Sequence, residues 1–116
     1  MKTYKAIIQL TSDDPKVHRS IIRQIGNLIA HLGNAVEVRL VCHGSSLSFC
    51  TQAGNPFADD ILASINQGVT IAVCRNMLVA NSVDTAALID GIEVIPSGIA
   101  ELVILQQEGW SYIKAG

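Results

Sequence analysis

The chain has 116 residues, of which 49% are hydrophobic and 16% charged, and its formal net charge is −2. That length suits one domain with a single core, taken as residues 1–116, and the charge balance lacks the basic excess of a nucleic-acid module. No apolar run approaches the roughly 18 residues of a membrane span, so the expectation is a cytoplasmic protein without membrane or nucleic-acid partners.

Met1-Lys2-Thr3-Tyr4-Lys5 leads into a strand-sized apolar run unlike a signal peptide, and Tyr4 to Leu10 reads as the first strand. Ser12-Asp13-Asp14-Pro15 supplies a cap and a proline fitted to a first helical turn. Val17, Ile21, Ile25, Leu28 and Leu32 then form one apolar stripe, and Gly33 stands where a left-handed cap ends the helix. Lys16, Arg19 and Arg23 read as its solvated face, with His18 and His31 at the surface or an interface. Val36 to Cys42 is a second strand; Glu37 and Arg39 alternate against Val36, Val38 and Leu40, which predicts a place near a sheet edge or a subunit contact.

His43-Gly44-Ser45-Ser46 is a polar turn into a short helical piece holding Leu47, Phe49 and Cys50. Asn55-Pro56 marks a helix running through Ile61, Leu62 and Ile65 to Gly68. Val69 to Val73 is the third strand, closed by Cys74. Arg75 to Val79 begins a short helix, Asn81-Ser82 interrupts it, and Asp84 to Ile89 resumes helical spacing. Ile92 to Ile95 is a fourth strand, Pro96-Ser97-Gly98 opens a last helix that ends at Gly109, and Trp110 to Lys114 alternates as a fifth strand, with Trp110 a packing or subunit-contact anchor.

Strands alternating with helices imply an α/β fold, a three-layer α/β/α sandwich around a mostly parallel five-stranded sheet. All strand ends of one sense then share an edge, so Cys42-His43-Gly44, Cys74-Arg75-Asn76 and Pro96-Ser97 fall on one rim, the usual place for chemistry in such folds. That rim lacks a carboxylate pair and a glycine-rich phosphate loop, which leaves hydride and phosphoryl transfer without machinery and calls for no cofactor. The three cysteines, Cys42, Cys50 and Cys74, match no disulfide framework or zinc spacing, so no metal is expected either.

Cys74 stands out because a buried strand delivers its thiol to the rim beside a cation, a setting that favours the thiolate; the alternative is a small hydrophobe closing the core. Arg75 either folds back to stabilise a sulfur anion or solvates the rim. His43 either accepts a proton from Cys74, should the second and third strands be neighbours, or fixes the turn. Asn76 caps the next segment or contacts a ligand, and Gly44 permits a tight turn or a close ligand approach.

Three segments carry a resemblance: Val41-Cys42-His43-Gly44, then Gly68-Val69 through Cys74-Arg75-Asn76-Met77-Leu78, then Glu108-Gly109-Trp110-Ser111-Tyr112-Ile113-Lys114. In this order they resemble the DsrE/DsrF-like superfamily, also called YchN-like or DsrEFH-like, over nearly the whole chain, with Ala72 to Leu78 nearest to a stand-alone branch. The resemblance implies a homotrimer or homohexamer in which Cys74 carries sulfur as a persulfide, exchanging it with a donor or acceptor protein. Two other readings stand beside it. One is a small ligand held without turnover by Ser45, Ser46 and the His43-Gly44 backbone; the other is a structural oligomer whose cysteine only packs.

Overall fold

The computed structural model describes residues 2–116. Seven-residue strand β1 (Tyr4–Leu10) pairs in parallel with β2 (Val36–Cys42) on one side and with β5 (Ser111–Ala115) on the other. Beyond β2 come β3 (Thr70–Cys74) and then β4 (Glu93–Ile95), also parallel, giving the order β4-β3-β2-β1-β5. The expected α/β class and parallel five-stranded sheet are thus found.

This order decides the layers. The chain steps outward from β1 to β4, and its right-handed crossovers keep the intervening helices on one face; the return from β4 to β5 reverses direction and puts the last helix on the other. On the first face α1 (Pro15–Leu32) and α3 (Ala58–Asn66) bring Ile21, Ile25 and Ile61 against Ile8, Leu10, Leu40, Ile71 and Val73. On the second, Leu102 and Leu105 of α5 (Gly98–Gln107) and Trp110 cover Ile7, Val41, Ala72 and Ile95. Short helices α2 (Leu47–Cys50) and α4 (Arg75–Ala80) follow β2 and β3 at the carboxyl edge.

α1 starts as its sequence predicts, with Asp14 as N-cap accepting from the Lys16 N–H at 2.9 Å and Pro15 in the first turn. Three expectations need correction. β2 is interior, between β1 and β3; its charged Arg39 is tolerated because the guanidinium pairs with Glu101 at 2.6 Å and Glu93 at 3.1 Å. His18 is buried, not at the surface: Nε2 lies 2.6 Å from the Ser12 carbonyl, and the ring meets Phe49 edge-on. Finally, Asp84 to Ile89 forms only a 3-10 turn, Thr85–Ala87. Beyond it Leu88 bridges Thr51 and the Ile89 N–H bonds the Cys50 carbonyl at 2.8 Å, which draws the chain into extended form.

Candidate functional site

At Cys74 the backbone leaves the sheet and α4 begins, with Cys74 itself as the N-cap residue. Its pairing with Ile95, and that of Ala72 with Val41, place Cys74 on the α5 face of the sheet. His43, one residue beyond β2, continues the same face after Arg39 and Val41. β2 and β3 are neighbours, so imidazole and thiol come to the same corner of the carboxyl edge.

Gly98 makes that corner possible. As the first residue of α5 it is buried over the strand ends, and a Cβ there would lie 3.1 Å from both Cβ and Cγ of His43 and 3.4 Å from Cβ of Cys74. A side chain at this position would be crowded from the outset, so glycine suits so close a start of the helix. Between α4 and α5 remains an open cavity of about 340 Å³, lined by His43, Gly44, Cys74 and Asn76 together with Met77, Ala80, Asn81, Ser97, Gly98 and Ile99. Its size falls at the small end of small-molecule sites.

Four of the five residues singled out in the sequence therefore share one cavity. Cys74 is only 7% exposed and lines this cleft, so it is not displayed to bulk solvent. Arg75 is not brought there: it is exposed and lines a separate cavity of about 500 Å³ with Leu78, Val79 and Asp84. Asn76 is exposed on the first turn of α4, whose cap position belongs to Cys74. Gly44 takes the positive φ of +66° that a tight turn asks of glycine, and a Cβ there would lie 3.2 Å from Thr11 Cβ within the protein itself. Ser46 is no ligand contact, because it is fully buried and its hydroxyl donates to the His43 carbonyl at 2.8 Å.

His43 is held from several directions. Its backbone N–H donates to Leu10 at 3.1 Å, its carbonyl accepts from Ser46, and its ring Nε2 lies 2.9 Å from Nε2 of Gln9. Burial lowers its pKa below the usual 6.5, so the ring is neutral near pH 7. Gln9 in turn accepts a hydrogen bond from the Tyr112 hydroxyl on β5. Sequence reasoning passed over Gln9 and Tyr112. The signal available was an amide inside the otherwise apolar run Ala6-Ile7-Ile8-Gln9-Leu10.

The other two thiols face away from this chemistry. Cys42 and Cys50 are both fully buried in the core on the α1 side of the sheet. Burial pushes the Cys42 pKa well up, the neighbouring Cys50 adds to this, and the nearby Ser46 hydroxyl, the smallest of the causes, opposes it, leaving a neutral thiol. Among the described residues no three His, Cys, Asp or Glu side chains gather as a metal site, and no helix is long and apolar enough to cross a membrane.

A family model described as the DsrE/DsrF-like family matches residues 5–115. No curated protein matches the chain. Among solved structures it is similar to the protein of unknown function MTH1491 from Methanobacterium thermoautotrophicum, at 28% identity and a TM-score of 0.90, over 96% of this chain and 98% of that one. It is also similar to the conserved protein of unknown function BT1422 from Bacteroides thetaiotaomicron, at 20% identity and a TM-score of 0.76, over 95% and 93% of the two chains. The ychN protein of E. coli shares the fold at 15% identity and a TM-score of 0.78, over 98% and 99%.

Proposed function

The chain belongs to the DsrE/DsrF-like family, and from that premise we propose that it is a sulfur carrier that holds a persulfide on Cys74. The observation that carries this reading is a difference among three buried thiols packed on the same core: Cys42 and Cys50 are fully enclosed, whereas Cys74, 7% exposed, also lines the open cavity at the carboxyl edge. In the proposed step the Cys74 thiolate attacks the outer sulfur of a donor persulfide R–S–SH. A new S–S bond forms on Cys74, the donor S–S bond breaks, and R–S⁻ leaves; the sulfane sulfur changes hands with no net oxidation or reduction. Delivery reverses the step toward an acceptor thiol and obeys the rules of thiol exchange.

Partners of two kinds go with this reading. A donor or acceptor protein would reach Cys74 with a cysteine on an extended segment, since the sulfur lies within a cleft. Copies of the chain would assemble as a trimer or hexamer through the outer side of α5, where Ile99, Val103 and Ile104 are all more than half exposed. The carrier step is tested by loading the protein from inorganic polysulfide, desalting, and adding excess thiol. Wild type is expected to release stoichiometric sulfide and Cys74→Ser none; equal release from both would refute the assignment.

A further inference from the structure

The hydrogen-bond chain from Tyr112 through Gln9 to His43 has a definite polarity. A phenol O–H pairs better with an amide carbonyl than an amide N–H does with a phenol oxygen, so the Gln9 carbonyl takes the Tyr112 proton. The opposite end of the amide, the NH₂ group, then faces His43 at 2.9 Å and can only donate. Nε2 of His43 must accept, and in a neutral ring the proton sits on Nδ1. Free histidine prefers the other tautomer, so this one is imposed by its surroundings.

Among the described residues Nδ1 has no hydrogen-bond partner, yet no buried side-chain nitrogen or oxygen there lacks one. The Nδ1–H group therefore opens to solvent, and His43 lines the Cys74 cavity. We propose that Tyr112 and Gln9 are positioning residues that lock His43 as the Nδ1–H tautomer, so that it offers a hydrogen-bond donor, and not a proton acceptor, to the anion that occupies the Cys74 cavity. This rests on the carrier reading for the identity of the anion. The tautomer itself is independent of that reading.

Long-range ¹H–¹⁵N correlation spectra of the histidine rings test the lock directly. Wild type should show His43 protonated at Nδ1, Gln9→Leu should revert to the Nε2–H form, and Gln9→Glu, which can only accept, should force Nε2–H. Tyr112→Phe frees the amide to turn and should give a mixture. Alkylation of Cys74 by iodoacetamide at pH 7 should slow several-fold in Gln9→Leu, which takes the donor away from the cavity that holds the anion, while the unfolding midpoint moves little because Gln9 lies near an exposed edge strand. An Nε2–H ring in wild type overturns the lock. An unchanged alkylation rate after the tautomer has switched overturns the donor role. If both responses occur but no persulfide ever loads, the donor assignment stands and the carrier reading falls.

Discussion

Replacing Gly98 by alanine puts one methyl group into the narrowest point of the molecule. Ordinary contacts of a Cβ begin near 3.4 Å, but this one would sit 3.1 Å from two atoms of His43. The histidine cannot step aside cheaply, because its backbone and its ring are both hydrogen-bonded. Overpacking of this kind costs about 1–3 kcal/mol, and the gain in helix propensity returns at most about 1 kcal/mol. The net loss should be about 1 kcal/mol, a fall of roughly 3–6 °C in Tm for a chain of this size. Gly26 provides the control: it lies inside α1 with nothing within 4 Å of a would-be Cβ, so Gly26→Ala should gain about 0.5–1 kcal/mol. Thermal unfolding followed by circular dichroism reads both. Should Gly98→Ala raise Tm as Gly26→Ala does, the close approach of α5 to His43 and Cys74 is not what holds glycine there.

The remaining predictions concern the core, the α5 surface and the interior ion pairs. Folded Cys42 keeps its proton above its ordinary pKa of 9.0, where the unfolded thiol gives it up. The unfolded state then binds fewer protons, so stability should fall with rising pH by up to about 1.4 kcal/mol per unit from this group, and urea titrations should find a shallower slope in Cys42→Ala. Arg39→Met should cost about 1–2 kcal/mol, between the values for exposed and buried pairs, because the Arg39 side chain is 11% exposed while Glu93 is 55% and Glu101 21%. In the same urea titrations Glu93→Gln should cost less than Glu101→Gln. Val103→Glu on the outer side of α5 should reduce the proposed trimer or hexamer to single chains in light scattering, and a wild-type oligomer whose mass this change leaves unaltered would locate the contact elsewhere.

Much of this architecture is written in local patterns. The apolar stripe of α1, the Asp14-Pro15 start and the run from Ile71 to Cys74 each name their own structure, and the ordering of strands and helices names the parallel sheet. The place of β2 was not legible, because the carboxylates that make Arg39 acceptable inside the sheet lie 54 and 62 residues further along the chain. His18 was misplaced for a similar reason: the carbonyl of Ser12 satisfies its ring across a bend that periodicity does not reveal. That Cys74, His43, Gly44 and Asn76 share one cavity follows from strand ends sharing a rim, which the order of elements already implies. Gln9 and Tyr112 were not, since their meaning depends on β5 lying beside β1, a pairing made only when the chain crosses back over the sheet.

Intact mass spectrometry after incubation with a cysteine desulfurase and free cysteine puts the role of Cys74 to its hardest trial. Wild type should gain the mass of a single sulfur atom, reversible by added thiol. Cys74→Ser should gain nothing, although Cys42 and Cys50 remain in place. A sulfur adduct that persists in Cys74→Ser, or a wild-type protein that never acquires one, would contradict the assignment of Cys74 as the carrier.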